Sequence, residues 1–282
     1  MLGKGIIHKE IKHVYRISDD ALYRNLSSAI AADRRGDYDV AYRKMAALVV
    51  EVEEPKHQYT TDAGNIYRRF TNSQKKYKRH DISFKAIDHA IDIFLGELRR
   101  FPTGDNEERR SILVAELERS YAGKIDVAYE LKDGKQLEST AKLLLESSLA
   151  TQNWDYALKS LRALYTVEFS QGHLKEAKAY IFQAMALVSE RVQGENLATE
   201  YRHFSKLYLA MSSEEKIPEI RQKKYLQKAE TFIWDCFDVH QGELKKPETR
   251  KAATGQIVKD LANVYTIRCA QFKQGWFKWD PD

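Results

Sequence analysis

Along almost the whole chain the apolar side chains return every three or four positions, not every second one. Leu22, Leu26, Ala29 and Ile30 stand at i, i+4, i+7 and i+8, with Asp33 closing the stripe. Ala41, Met45, Leu48 and Val49 repeat the spacing after Gly36-Asp37-Tyr38. A stripe of this kind covers one side of an α-helix, because 3.6 residues complete a turn. Further stripes run through Ile66 and Phe70, Ile87 to Leu98, and Ile112 to Ala128, the last with an expected break or kink near Gly123. Six more are carried by Leu137 to Leu149, Trp154 to Tyr165, Leu174 to Val188, Leu197 to Met211, Leu226 to Phe237 and Ile257 to Phe272. The pattern predicts about eleven helices of roughly 15–25 residues joined by short turns. No run alternates apolar and polar residues with hairpin chemistry; Val49-Val50-Glu51-Val52 comes nearest and lies at a helix end. Pro55, Pro102, Pro218 and Pro247 fall between stripes or at a first turn, where the missing N–H costs nothing.

Helices joined by two to five residues must pack as antiparallel neighbours, and each hairpin needs another to cover its second face. The expected fold is therefore all-α, an α-solenoid or an irregular helical-repeat bundle of about eleven antiparallel helices.

Three turns share a signature: Gly36-Asp37-Tyr38 with Ala41, Asn153-Trp154 with Ala157, and Gly172-His173-Leu174 with Ala177. A turn residue ends one helix, an apolar residue staples the next, and an Ala three positions later lets two backbones approach. Apolar residues recur at +4 and +7 from each Ala: Met45 and Leu48, Leu161 and Leu164, Ile181 and Ala184. This resembles the second helix of a tetratricopeptide repeat, in degenerate form. Ala29 occupies the small position of the first helix in one case, but Leu145 and Tyr165 stand there in the others, and the second and third matches are separated by twenty residues. The resemblance implies protein-binding helical hairpins outside a regular array. The segment from Ala31 to Ala41 also resembles the first hairpin of microtubule-interacting-and-transport domains.

Charge changes the picture next. The chain carries 46 Lys or Arg against 41 Asp or Glu, a net +5. Residues 1–101 hold 19 basic and 14 acidic residues, which is the entire excess, and residues 102–282 are balanced. Two regions follow: a basic N-terminal one, 1–101, and charge-balanced tetratricopeptide-like hairpins, 102–282, with one continuous domain as the alternative. Six cations crowd between Arg68 and His80: Arg68, Arg69, Lys75, Lys76, Lys78 and Arg79. On a helix, Ala63, Ile66, Phe70 and Tyr77 share one side, while Arg68, Lys75 and Arg79 fall opposite with Arg69 and Lys76 flanking. The expectation is a cationic outer face for nucleic acid, another anionic surface or an acidic partner. A solvated face is the plainer reading, and acids from another helix, for example Glu51, Glu53 and Glu54, could also neutralise it.

The segment from His8 to Leu26 has the apolar spacing of a helix-turn-helix, with Ile11, Tyr15, Ile17 and Leu22 as its core. Lys12 and Arg16 replace the small and glycine residues usual there. Equally, Ser18 or Asp19 suits a helix N-cap. The DNA-reading version resembles bacterial and phage peptide-pheromone receptors in layout. At the other end, Trp276, Phe277 and Trp279 crowd three aromatics into four residues. They are candidate partner anchors or a cap on the last helix, since aromatic residues dominate interface hot spots.

Catalytic chemistry is not legible. The sequence has no GxSxG, HExxH or glycine-rich phosphate loop, and His89 beside Asp88 and Asp92 makes no metal site. No catalytic residue, cofactor or metal is expected. Cys236 and Cys269 sit among apolar neighbours and read as core thiols of a reducing compartment. No apolar run reaches the roughly 20 residues of a membrane span, and residues 1–17 lack a signal-peptide core. The expectation is a cytoplasmic, non-enzymatic protein-interaction or adaptor module, open to homo-oligomers, with another protein or peptide segment as partner. The alternative is a nucleic-acid-associated regulator.

Overall fold

The computed structural model describes residues 19–53, 60–101, 107–191, 195–213, 218–243 and 247–273. Eleven helices account for almost all of them, and no strand occurs among the described residues. They are α1 (Asp20–Arg34), α2 (Tyr38–Val52), α3 (Thr61–Lys76), α4 (His80–Arg100), α5 (Glu107–Leu131), α6 (Gly134–Ala150), α7 (Trp154–Ser170), α8 (Leu174–Arg191), α9 (Glu195–Ser212), α10 (Glu219–Glu243) and α11 (Pro247–Lys273). Each coincides with one of the apolar stripes. Val49 to Val52 is the last turn of α2, and Pro247 opens α11.

The turns show why the chain reverses where it does. After α1, Gly36 takes φ 84°, its N–H donates to Asp33 O, and the Asp37 N–H donates to Ala32 O. This is the Schellman arrangement, in which one left-handed residue satisfies the orphan carbonyls of a helix end. The same two bonds recur at Lys78 and Arg79, Lys132 and Asp133, Gln152 and Asn153, and Gly172 and His173. At each the first residue has positive φ, between 55° and 84°. Five connections thus share one geometry, although only two use glycine.

Helix starts are capped by side chains. Asp19 accepts from the N–H groups of Ala21 and Leu22, Thr60 from Ala63 and Asp133 from Gln136. The carbonyl of Pro218 accepts from Arg221 and Gln222 at the start of α10.

The chain forms two compact units, Met1–Tyr156 and Ala157–Asp282. The charge-based division at 101/102 follows a different property of the sequence. In the first unit α1 to α6 pack in sequence order, each on the next, and α3 also meets α5. This contact between first helices of successive hairpins covers the face that one hairpin leaves open. Leu26, Leu48, Ile66, Ile87, Phe94, Leu113, Ile125 and Leu144 are fully buried there. Each contributes roughly 1.5–3 kcal/mol of burial. In the second unit α8 to α11 pack in order around Tyr165, Ile181, Phe204, Leu207, Leu226 and Ile233.

The repeat positions fill this core. Ala41, Ala157 and Ala177 are buried, and so are Met45, Leu48, Leu161, Leu164, Ile181 and Ala184. The same register holds at two turns the sequence signature passes over, where Ser83 and Leu137 take the Ala position. Tyr38, the first residue of α2, is 52% exposed. One expectation is corrected. Helix α5 runs unbroken through Gly123, where an added Cβ would stand 3.5 Å from Ile87 Cδ1. That is an ordinary van der Waals distance, so packing against α4 does not demand a glycine there.

Candidate interaction surface

The basic stretch lies on α3 and the turn after it, and its cations do not share one outer face. Arg68 Nη2 forms a 2.9 Å ion pair with Glu116 Oε2 of α5, and also donates to Asn65 Oδ1. Burial pushes this guanidinium down to about 10, against the attraction of Glu116. Lys75 Nζ lies 3.3 Å from Asp126 of α5. Arg79 donates to the Tyr42 hydroxyl and lies 5.1 Å from that ring's centroid. Arg69 is half-buried and has interactions of its own. Lys78 is exposed at its left-handed turn. The side chain of Lys76 lies outside the described residues. The outward orientation expected of Arg68 and Lys75 is therefore corrected, because α5 stands where solvent was expected.

Acids of another helix do neutralise the stretch, but they are not the examples nearest in sequence. Glu51 accepts from Asn25 and Glu53 from the Tyr67 hydroxyl, while Glu116 and Asp126 meet the cations. Glu54 lies outside the described residues.

At the N-terminus, residues 8–18 of the expected helix-turn-helix lie outside the described residues. Asp19 is the N-cap of α1, Leu22 is buried as the core position expected of it, Tyr23 is buried and Arg24 is exposed. Trp276, Phe277 and Trp279 also lie outside the described residues.

Buried carboxylates hold helices together. Glu116 binds Arg68 and Arg119. Glu118 accepts from Ser147, Thr151 and Asn153, tying α5 to the turn between α6 and α7. Glu97 is gripped by Arg100 and Arg109, and in the second unit Glu200 by Arg162. A buried charge survives only with such partners.

A surface that the sequence reading missed lies on α8, α9 and α10. Phe204 and Tyr208, one turn apart on α9, both stack against Phe232 of α10, with centroids 4.9 and 5.7 Å away. Phe182 of α8 meets Phe204 edge-on at 4.9 Å and remains 50% exposed. Tyr201 and Tyr225 extend the ring cluster on either side. Two ammonium groups reach its middle. Lys178 Nζ lies 5.7 Å from the Tyr208 centroid and 5.6 Å from that of Phe182; Lys228 Nζ lies 5.2 Å from that of Tyr208. Such placement over ring faces is attractive through the aromatic quadrupole. The sequence carries a trace of it, since Lys178 precedes Phe182 and Lys228 precedes Phe232 by four residues, one helical turn. What the surface offers is recognition: exposed ring area beside positive charge.

No family profile matches the sequence, and no curated protein matches it. Solved structures do. A putative kinesin light chain from Podosopora anserina with nearly identical tetratricopeptide-like repeats matches at 12% identity. The match covers 75% of this chain and 94% of that one, with a TM-score of 0.50. BtubC (BKLC) from P. vanneervenii matches at 12% identity over 94% of this chain and 96% of that one, with a TM-score of 0.47. The likeness to the former is one of fold: this chain is an all-α protein of tetratricopeptide-like helical hairpins.

Proposed function

We propose that the protein is a non-enzymatic interaction or adaptor module whose hairpins take up a segment of another protein. One observation carries this reading. The aromatic cluster of α8, α9 and α10 exposes half of Phe182 beside Lys178 and Lys228, whereas the buried Glu97, Glu116, Glu118 and Glu200 are committed to holding helices. Rings and cations at a surface suit recognition, since aromatic residues anchor interfaces. Carboxylates fixed by Arg or hydroxyl donors are structural.

The stretch 68–79 does not carry the proposal, because α5 carboxylates match Arg68 and Lys75. No described helix is long and apolar enough to cross a membrane. The free, buried thiol of Cys236 suits the reducing cytoplasm, where we place the protein.

Affinity capture from the native cell, followed by reconstitution with the purified partner, tests the reading. The expected result is a one-to-one complex between purified proteins. Capture that never survives reconstitution, or a partner that is turned over as a substrate, overturns it.

A further inference from the structure

We infer that the face around Tyr208 binds an acidic peptide segment, its carboxylates held by Lys178 and Lys228 and an apolar side chain covering Phe182. This deepens the adaptor reading and rests on it. Both ammonium groups stand within 6 Å of one nearly buried ring, and neither has a carboxylate partner among the described residues. Two arginines of the same unit are matched by contrast, Arg162 to Glu200 at 2.6 Å and Arg202 to Asp260 at 2.7 Å. Glu230, two residues after Lys228, accepts instead from the Tyr265 hydroxyl of α11 at 2.8 Å. The two lysines therefore present positive charge over a low-dielectric aromatic floor, where a carboxylate gains more than it would in open water.

The apolar half of the site specifies the rest of the ligand. Phe182 is fixed by its edge contact with the buried Phe204, so covering its exposed half costs little side-chain entropy. A segment with an acid next to a Leu or Phe satisfies both features at once. A polynucleotide is the poorer match. Its affinity comes from neutralising many phosphates, typically 6–10, and this face offers two unmatched lysines.

The test uses the full chain and fluorescence anisotropy at low salt. The probes are dye-labelled peptides alternating acids with Leu or Phe, the same peptides with amides for acids, and a dye-labelled oligo-dT strand. Acidic peptides bind at least about tenfold more tightly than their amide counterparts. The double variant K178E/K228E loses that preference, K178R/K228R keeps it, and F182A weakens the acidic peptides, all with unchanged far-UV circular dichroism. Equal binding of amide and acidic peptides, no binding of either, unchanged binding by K178E/K228E, or stronger binding of oligo-dT overturns the proposal. A reconstituted cellular partner that binds K178E/K228E as well as the parent sinks the acidic-peptide site and leaves the adaptor reading standing. Failure to reconstitute any partner sinks the adaptor reading itself.

Discussion

Arg68 on α3 places Nη2 2.9 Å from Oε2 of Glu116 on α5, and the two side chains are only 11% and 1% exposed. Arg119 donates to the other oxygen of Glu116 at 2.5 Å and also to the Tyr156 hydroxyl, so one carboxylate joins α3, α5 and the first turn of α7. Burying these charges is costly, which is why burial pushes the Arg68 guanidinium down despite its partner.

The pair is asymmetric under mutation. Glu116→Gln leaves the Arg68 guanidinium buried without its counter-charge, and is expected to cost about 3–5 kcal/mol. Arg68→Met strands Glu116 only in part, because Arg119 remains, and costs less. Replacing both, with Met at 68 and Leu at 116, removes the desolvation penalty and loses far less than the two single changes together. Urea unfolding of the four proteins measures the cycle. Additive single and double losses would show that the ion pair does not couple α3 to α5.

The five Schellman turns make opposite predictions at glycine and non-glycine positions. Gly36 and Gly172 have φ 84° and 78°, and nothing lies within 4 Å of an added Cβ at either. The cost of Gly36→Ala or Gly172→Ala is therefore conformational, about 1 kcal/mol each. Gln152 holds the same geometry at φ 58° with an L side chain. Gln152→Gly relieves that strain but frees the unfolded chain, so the expected change is a gain of about 0–1 kcal/mol. Thermal unfolding decides the sign; a loss at Gln152→Gly as large as that at Gly36→Ala would refute the shared geometry.

Gly64 is constrained by packing instead. A Cβ there would stand 2.8 Å from Cε1 and Cζ of the fully buried Phe94. Gly64→Ala should destabilise by about 1–3 kcal/mol despite the better helix propensity of Ala. The compensating Phe94→Leu change should recover part of that loss. If Gly64→Ala unfolds at the parent's temperature, α3 and α4 are less closely apposed than described.

These positions differ in how far the sequence discloses them. All eleven helices are legible, because an apolar stripe at helical spacing needs only local information. The turns at Gly36 and Gly172 are legible for the same reason. Lys78, Lys132 and Gln152 are not, because long polar side chains at left-handed φ carry no turn signal of their own. The orientation of Arg68 is hidden more deeply. A helical wheel puts Arg68 opposite Ile66 and Phe70, but whether water or a second helix stands there depends on α5, nearly fifty residues on. The face around Tyr208 needs three helices brought together, so the residue spacing within each helix gives only its fragments.

Cys236 should be inert in the folded state. Burial pushes its thiol up to about 11, with Arg202 opposing and Asp260 adding to the rise. The thiolate is the reacting species, so neutral-pH modification is suppressed. In a Cys269→Ser background, a disulfide thiol reagent should label the protein only after denaturant is added. Stoichiometric labelling of the native protein would show the thiol to be accessible.

Alkaline pH should expose a coordinated weakness of the fold. Burial is the main cause that raises Tyr67, Tyr121, Tyr156 and Tyr165, with Glu53 adding to Tyr67 and Glu200 to Tyr165. Tyr67 goes from the ordinary 10.0 to about 12. An unfolded tyrosine loses its proton near 10 while the folded one keeps it, so above that pH the native state binds more protons than the unfolded state. Stability is then fully present below pH 10 and falls as pH rises through 10 towards 12. Replacing Tyr67 by Phe removes its share of that dependence. It also gives up the 3.2 Å hydrogen bond to Glu53, about 1 kcal/mol at neutral pH. Phenolate absorbance and far-UV circular dichroism, followed together through an alkaline titration, provide the measurement. The buried tyrosines should ionise in step with loss of helix, after the exposed ones. All 16 tyrosines ionising together near pH 10 with the helices intact would show that these four rings are open to water.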